Sequence, residues 1–287
     1  MYSSLSPGAI GVRAANLNEA ISAAKIGGFQ GVEFNPGEVA DLIARHGVDY
    51  VKDLFAEAGI RPAGFGLPLD WRGDEMAWRD SLQRLPRLAQ AAHAIDGGRT
   101  MTWIMPCSND RPFNENRRFH IERFRPAAQI LGDHGCRLGL EFIGPKTLRD
   151  SQKYPFIYTM DDMLEMGREI GPSVGLLLDC WHWHTSGGTI DDLNRLRPEE
   201  VVYVHVNDAP RGVSMEEYVD SVRGLPGETG VIDIGGFLTA LQRIGYDGPV
   251  TPEPFKKELS ELPSDEARLS EVGEAMRKIF RHVGLTN

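Results

Sequence analysis

Short apolar runs alternate along this chain with longer stretches whose hydrophobic positions recur at helical spacing, the pattern expected when buried strands are joined by amphipathic helices. Residues 9–12 predict a short first strand, and residues 18–25 carry an amphipathic pattern that ends at Gly27-Gly28 before the strand-like GVEFN, residues 31–35. Residues 48–58 predict a helix stopped by Gly59, after which PAGFGLP makes a third strand. The Leu, Ala and Trp spacing of residues 76–95 predicts a helix ended by Gly97-Gly98, and TMTWIM at 100–105 a fourth strand. A helix over 116–134 is stopped by Gly135. Four more apolar runs follow, LGLEF, VGLLLD, VVYVHVND and VTPEPF, with helices expected over 160–170, 193–196, 234–244 and 265–282. Eight strands and about eight helices in alternation, with no Ser/Gly-rich linker and no internal repeat, predict an α/β fold. One domain, residues 1–287, would form a single (β/α)8 TIM barrel.

The last four strands add chemistry to this pattern. Each carries a metal-competent side chain at or near its carboxyl end: Glu141, Asp179, His205 and Glu253. A parallel sheet collects all strand ends on one edge, so groups 112 positions apart from first to last can converge at the mouth of a barrel. Three carboxylates and one imidazole form a hard, oxygen-rich set suited to one divalent ion, Mn²⁺ first, with Mg²⁺ and Co²⁺ close behind and Zn²⁺ less preferred. His182 follows Asp179 by three residues within Trp181-His182-Trp183-His184. Read as an extended segment, this stretch would turn both histidines to one side and both tryptophans to the other. Indoles at strand ends are platforms for the C–H face of a sugar ring, which makes Trp103, Trp181 and Trp183 candidates for the pocket wall.

Composition narrows the partners. The 287 residues carry a formal charge of −10 and no Lys/Arg-rich block, which argues against nucleic acid and is compatible with a small neutral sugar. Cys107, Cys136 and Cys180 lie far apart without CxxC spacing, so neither a zinc knuckle nor a disulfide framework is expected. A reducing cytoplasm is the plain reading. The opening MYSSLSPGAIGVRA lacks the basic and apolar regions of a secretory signal, and no apolar stretch approaches a membrane span, so no membrane partner is expected. A homo-oligomer is compatible with all of this.

The segments LGLEFIGPKTL, VGLLLDCWHWHTSGG, VVYVHVNDAPRG and LPGETGVIDIGGFLTALQRIGYDGPVTPE resemble the xylose isomerase-like TIM barrels, a superfamily of sugar isomerases and epimerases. Within it the likeness is greatest to the inosose (2-keto-myo-inositol) isomerase and dehydratase group. It is carried by strands five to eight, the first half matching only in layout. The resemblance implies that Glu141, Asp179, His205 and Glu253 bind one divalent cation. This region also resembles the ketose 3-epimerases, in which a histidine three residues after the aspartate ligand and an arginine six after the histidine ligand contact substrate; here those places hold His182 and Arg211. One departure stands out. Those epimerases place a second glutamate six residues after the first ligand, where this chain has Thr147, preceded by Gly144-Pro145-Lys146. Lys146 is thereby a candidate for a ketone oxygen or a phosphate, against the plainer reading of a solvated surface lysine.

The implied reaction is proton abstraction α to the carbonyl of a small polyhydroxy ketone through an enediolate, with Glu141 or Glu253 as base. Return of the proton to the neighbouring carbon isomerises, and return to the opposite face epimerises. A leaving group β to the carbonyl makes the same residues a dehydratase or keto-glycoside lyase. An endonuclease IV-like repair enzyme is disfavoured by the acidic charge, and a non-catalytic sugar-binding barrel by the completeness of the ligand set.

Overall fold

A computed structural model describes residues 1–285. Eight parallel strands close into a barrel, each hydrogen-bonded to its neighbours in sequence, with the first beside the last. We label them β1 (Tyr2–Leu5), β2 (Gly31–Glu33), β3 (Arg61–Gly66), β4 (Arg99–Ile104), β5 (Arg137–Phe142), β6 (Val174–Asp179), β7 (Val201–Val206) and β8 (Pro249–Pro252). Tyr2, Ala63, Met101, Leu177 and Tyr203, from five of these strands, pack together inside the barrel. The larger apolar core lies outside it, between strands and helices, around Val32, Phe124, Leu138, Leu178, Phe237 and Phe280. No helix among the described residues is long and apolar enough to cross a membrane.

The helices over Val48–Ala58, Met160–Ile170, Ile234–Ile244 and Asp265–His282 occupy the expected spans. The first strand does not. Residues 7–10 form a 3-10 turn, with Pro7 at its start and Gly11 in the left-handed conformation at its end. The true first strand, YSSL, hides its hydrophobic pattern because Ser3 and Ser4 take buried positions. A helix over Pro36–His46, capped by Asn35 and opened by Pro36, also lies between β2 and β3, where the apolar pattern had predicted only the helix at 48–58. Its polar first turn and the break at Gly47 concealed it.

Candidate metal centre

Alternation along the strands fixes which residues face the barrel axis. Leu177 and Tyr203 lie in the interior cluster, so Asp179 and His205, two positions further on, point to the same side at the carboxyl-terminal mouth. Asp179 and His205 are register partners on adjacent strands, and Glu253 follows β8 directly. One potential ligand atom from each of Glu141, Asp179, His205 and Glu253 lies within 4.8 Å of the other three. His205 Nδ1 is 3.7 Å from Glu141 Oε1 and 3.5 Å from Glu253 Oε2. Both Glu141 Oε1 and His205 Nδ1 are buried without a hydrogen-bond partner. Buried polar atoms are nearly always satisfied, and two unsatisfied ones facing a common point fit a cation shared between them. The donor set therefore suits a divalent ion.

Sequence reasoning missed the residue that neutralises this acidic group. Arg223 is buried, and its Nη1 donates to Asp179 Oδ2 at 2.7 Å and to Glu253 Oε2 at 3.0 Å. Its Nη2 donates to Asp220 Oδ1 at 2.8 Å, and the guanidinium stacks over Trp181 and Phe255. No strand-end spacing announces an arginine that arrives on a loop after β7; its one signal is a lone basic residue directly before the GLPGETG turn. That turn is itself held by Asp208, a buried carboxylate that accepts from the backbone N–H groups of Thr229, Gly230 and Ile232.

The electrostatics follow from burial opposed by these partners. Burial, with Glu253 and Asp179 nearby, pushes the Glu141 carboxyl up to about 8 against the pull of His205. Burial raises Asp179 as well, against Arg223. Glu253 goes the other way, because His205 and Arg223 outweigh its burial and keep it ionised. His205 is buried, yet Glu253 and Glu141 hold its imidazole well above the ordinary value. An ion bound here would displace that proton, since a ligating imidazole must be neutral.

His182 reaches the cluster by a route other than the one expected. Cys180–Thr185 is a short helix, not an extended segment, with Asp179 as its N-cap accepting from Trp181 N–H. The helical turn separates the two histidines instead of aligning them. His182 Nδ1 accepts the Gly144 N–H at 3.2 Å, and Arg223 Nη2, a donor only, faces Nε2 at 3.4 Å. Nε2 lies 4.0 Å from Glu141 Oε1, 3.9 Å from Asp179 Oδ2 and 3.8 Å from Asp220 Oδ1. Burial, with the charges of Arg223 and His205, holds this imidazole well below its usual value and therefore uncharged. Trp183 packs against Phe237 and donates to the Thr189 carbonyl, a structural role, while buried Trp181 lies under Arg223.

The remaining candidates are scattered. Arg211 is exposed and its guanidinium donates to the Thr229 carbonyl, 2.9 Å from Nε. Lys146 lies in a short, partly exposed helix and pairs with Asp150 at 2.8 Å, as a solvated surface lysine does. Trp103 is in register with Glu141 and stands 44% exposed at the mouth. Beside the cluster, a cavity of about 1150 Å³ opens over the ends of the first three strands, with Ser6, Arg13, Glu33, Asn35 and Gly66 in its wall. Glu33, held by Ser6 Oγ at 2.8 Å and the Tyr203 hydroxyl at 3.0 Å, is within electrostatic reach of His205 and Glu253, so cavity and cluster adjoin.

A closed barrel with this carboxylate–histidine group at its mouth has known relatives. The sequence description of the xylose isomerase-like TIM barrel matches residues 21–279. The chain belongs to that family. The inosose isomerase of Halalkalibacterium halodurans is 22% identical over 250 residues, 86% of each chain. The 3-dehydroshikimate dehydratase of Pseudomonas putida is 24% identical over 86% of this chain and 36% of its own length. A xylose isomerase domain protein from Alicyclobacillus acidocaldarius superposes with a TM-score of 0.85 at 31% identity, covering 99% of both chains.

Proposed function

We propose that this family member is a divalent-metal-dependent isomerase or epimerase of a small polyhydroxy ketone, of the inosose or ketose class. The observation that carries the reading is the convergence of Glu141, Asp179, His205 and Glu253, with two buried ligand atoms among them that make no hydrogen bond. These four residues would hold the ion, for which Mn²⁺ is the best match to a hard donor set. When bound, the ion supplies Lewis-acid stabilisation of the negative charge that develops on the substrate oxygens as the α-proton leaves.

The protein's own groups supply the proton chemistry. Glu141 and Glu253 come from different strands and flank the centre, so one can remove the α-proton and the other return it. Both carboxylates would be ionised while they hold the ion, so either can accept the α-proton and the other return it. Neutral His182, set between the Gly144 N–H and Arg223 and 4.0 Å from Glu141, would contact a substrate oxygen at this centre. The lyase outcome uses the same residues, and the likeness to a dehydratase keeps it as the second reading.

The test is metal stoichiometry. Wild-type protein loaded with Mn²⁺ and desalted is expected to retain one ion per chain, and His205→Ala to lose it while keeping the circular dichroism spectrum of a folded barrel, since mouth residues serve function more than stability. Full metal content in His205→Ala would overturn the ligand assignment.

A further inference from the structure

The loop from β3 to the helix Glu75–Ala94 carries Trp71 and Arg72. The Arg72 guanidinium lies 3.8 Å from the centre of the Trp71 ring and 4.0 Å from that of Trp103, clamped between two indoles, and its Nη2 donates to the Trp103 carbonyl at 2.6 Å. Met101 points into the barrel interior, so Trp103, two residues on, stands on the inward row at the mouth. It is in register with Glu141, about 4.8 Å away across one strand spacing. The clamp thus places Arg72 over the indole that stands in register with Glu141.

Arg72 has no carboxylate partner among the described residues. Its neighbours do: Arg79 pairs with Glu75, Arg84 with Asp70, Arg87 with Asp41 and Arg123 with Glu75. A second arginine without one, Arg111, stacks on Phe119 at 3.9 Å. Both act on the buried ring of His120, which burial, reinforced by these two charges, lowers to about 4 and keeps neutral. Burial between the indoles lowers Arg72 itself to about 10, so it remains charged at neutral pH. A guanidinium offers five donors in a planar fork matched to phosphate and carboxylate, and Arg72 spends one of them internally. Held rigid by stacking and left without a counter-ion in an acidic chain, it has the properties of an anion receptor.

We propose that Arg72, clamped by Trp71 and Trp103 with Arg111 nearby, is a subsite for an anionic substituent, a phosphate ester or a carboxylate, on the hydroxyketone handled at the Glu141–Asp179–His205–Glu253 centre. This rests on the metal-dependent reading above and narrows its substrate to acidic ketoses.

Tryptophan fluorescence of the Mn²⁺-loaded protein reads the clamp directly. D-Fructose 6-phosphate and 5-keto-D-gluconate are titrated against neutral D-fructose, in wild type and in Arg72→Gln. At least one anionic ligand is expected to bind tenfold or more tightly than fructose to wild type, and the preference to collapse in Arg72→Gln with metal content unchanged. Whichever anion wins identifies the substituent as phosphate or carboxylate. Equal affinities in wild type, or a preference that survives in Arg72→Gln, would overturn the subsite. Inorganic phosphate, which needs no hydroxyketone, separates the two claims. Failure of wild type to retain metal sinks the proposed activity, whereas Arg72-dependent quenching by phosphate stands or falls independently of it.

Discussion

At the scale of single residues, Arg223 decides how the cluster tolerates its own charge. Three carboxylates near one another, two of them buried, repel, and the guanidinium bridging Asp179 and Glu253 is the cation that offsets them together with His205. Breaking a buried ion pair by removing one partner costs about 3–5 kcal/mol because the other charge is left uncompensated. Arg223→Met is therefore expected to lower the urea unfolding free energy of the metal-free protein by about that amount. Mn²⁺ should shrink the deficit, because an ion among the carboxylates takes over the compensation and its binding adds stability by mass action. An identical deficit with and without Mn²⁺ would show that Arg223 and the ion do not share those carboxylates. Glu141, Asp179, His205 and Glu253 were legible in the sequence because each terminates an apolar run. Arg223 was not, since a loop that supplies one side chain to a site leaves no periodic trace.

Among elements, the turn after β5 and the helix Cys180–Thr185 form one unit. A Cβ on Gly144 would strike Thr185 Oγ1 and come within 2.5 Å of the His182 carbonyl, and only a glycine allows this approach. Because a backbone carbonyl cannot swing aside, Gly144→Ala is expected to destabilise the protein by about 1–3 kcal/mol, the usual range for overpacking. It should also displace His182, whose Nδ1 accepts the Gly144 N–H. Nuclear magnetic resonance of the His182 ring nitrogens checks this: a changed tautomer ratio is predicted, and an unchanged ring with unchanged stability would contradict it. The helical form of the WHWH stretch escaped the sequence reading because Asp179 serves at once as strand end and helix cap, leaving no polar break between the two elements. Strands five to eight were plain as apolar runs. The first was masked by Ser3 and Ser4, which are buried despite their polarity.

Across the whole molecule, charge sets the pH response. Glu200, at the entrance to β7, accepts from Arg168 at 2.8 Å and from the Arg197 backbone at 3.0 Å. Its burial is outweighed by the Arg197 N–H and the two guanidinium groups, which hold it down at about 2. A carboxylate depressed on folding adds stability above its ordinary value near 4.5, and that contribution is lost as pH falls toward 2. Glu200→Gln is expected to be less stable than wild type at neutral pH, with the gap in urea midpoints narrowing below pH 4.5. A gap that stays constant down to the acid limit would contradict the pairing. The barrel as a whole gathers acidic groups at one mouth, where the proposed reaction is proton abstraction next to a carbonyl. Deuterium exchange follows that proton: the Mn²⁺-loaded protein is incubated with 2-keto-myo-inositol and a panel of ketohexoses in D₂O, and the α-positions of substrate and product are read by nuclear magnetic resonance. Deuterium is predicted to enter the α-carbon of one of these ketones, and Glu141→Gln or Glu253→Gln with metal retained to slow that entry. Turnover with the migrating hydrogen fully retained and no solvent label incorporated would contradict it and point to a hydride shift instead.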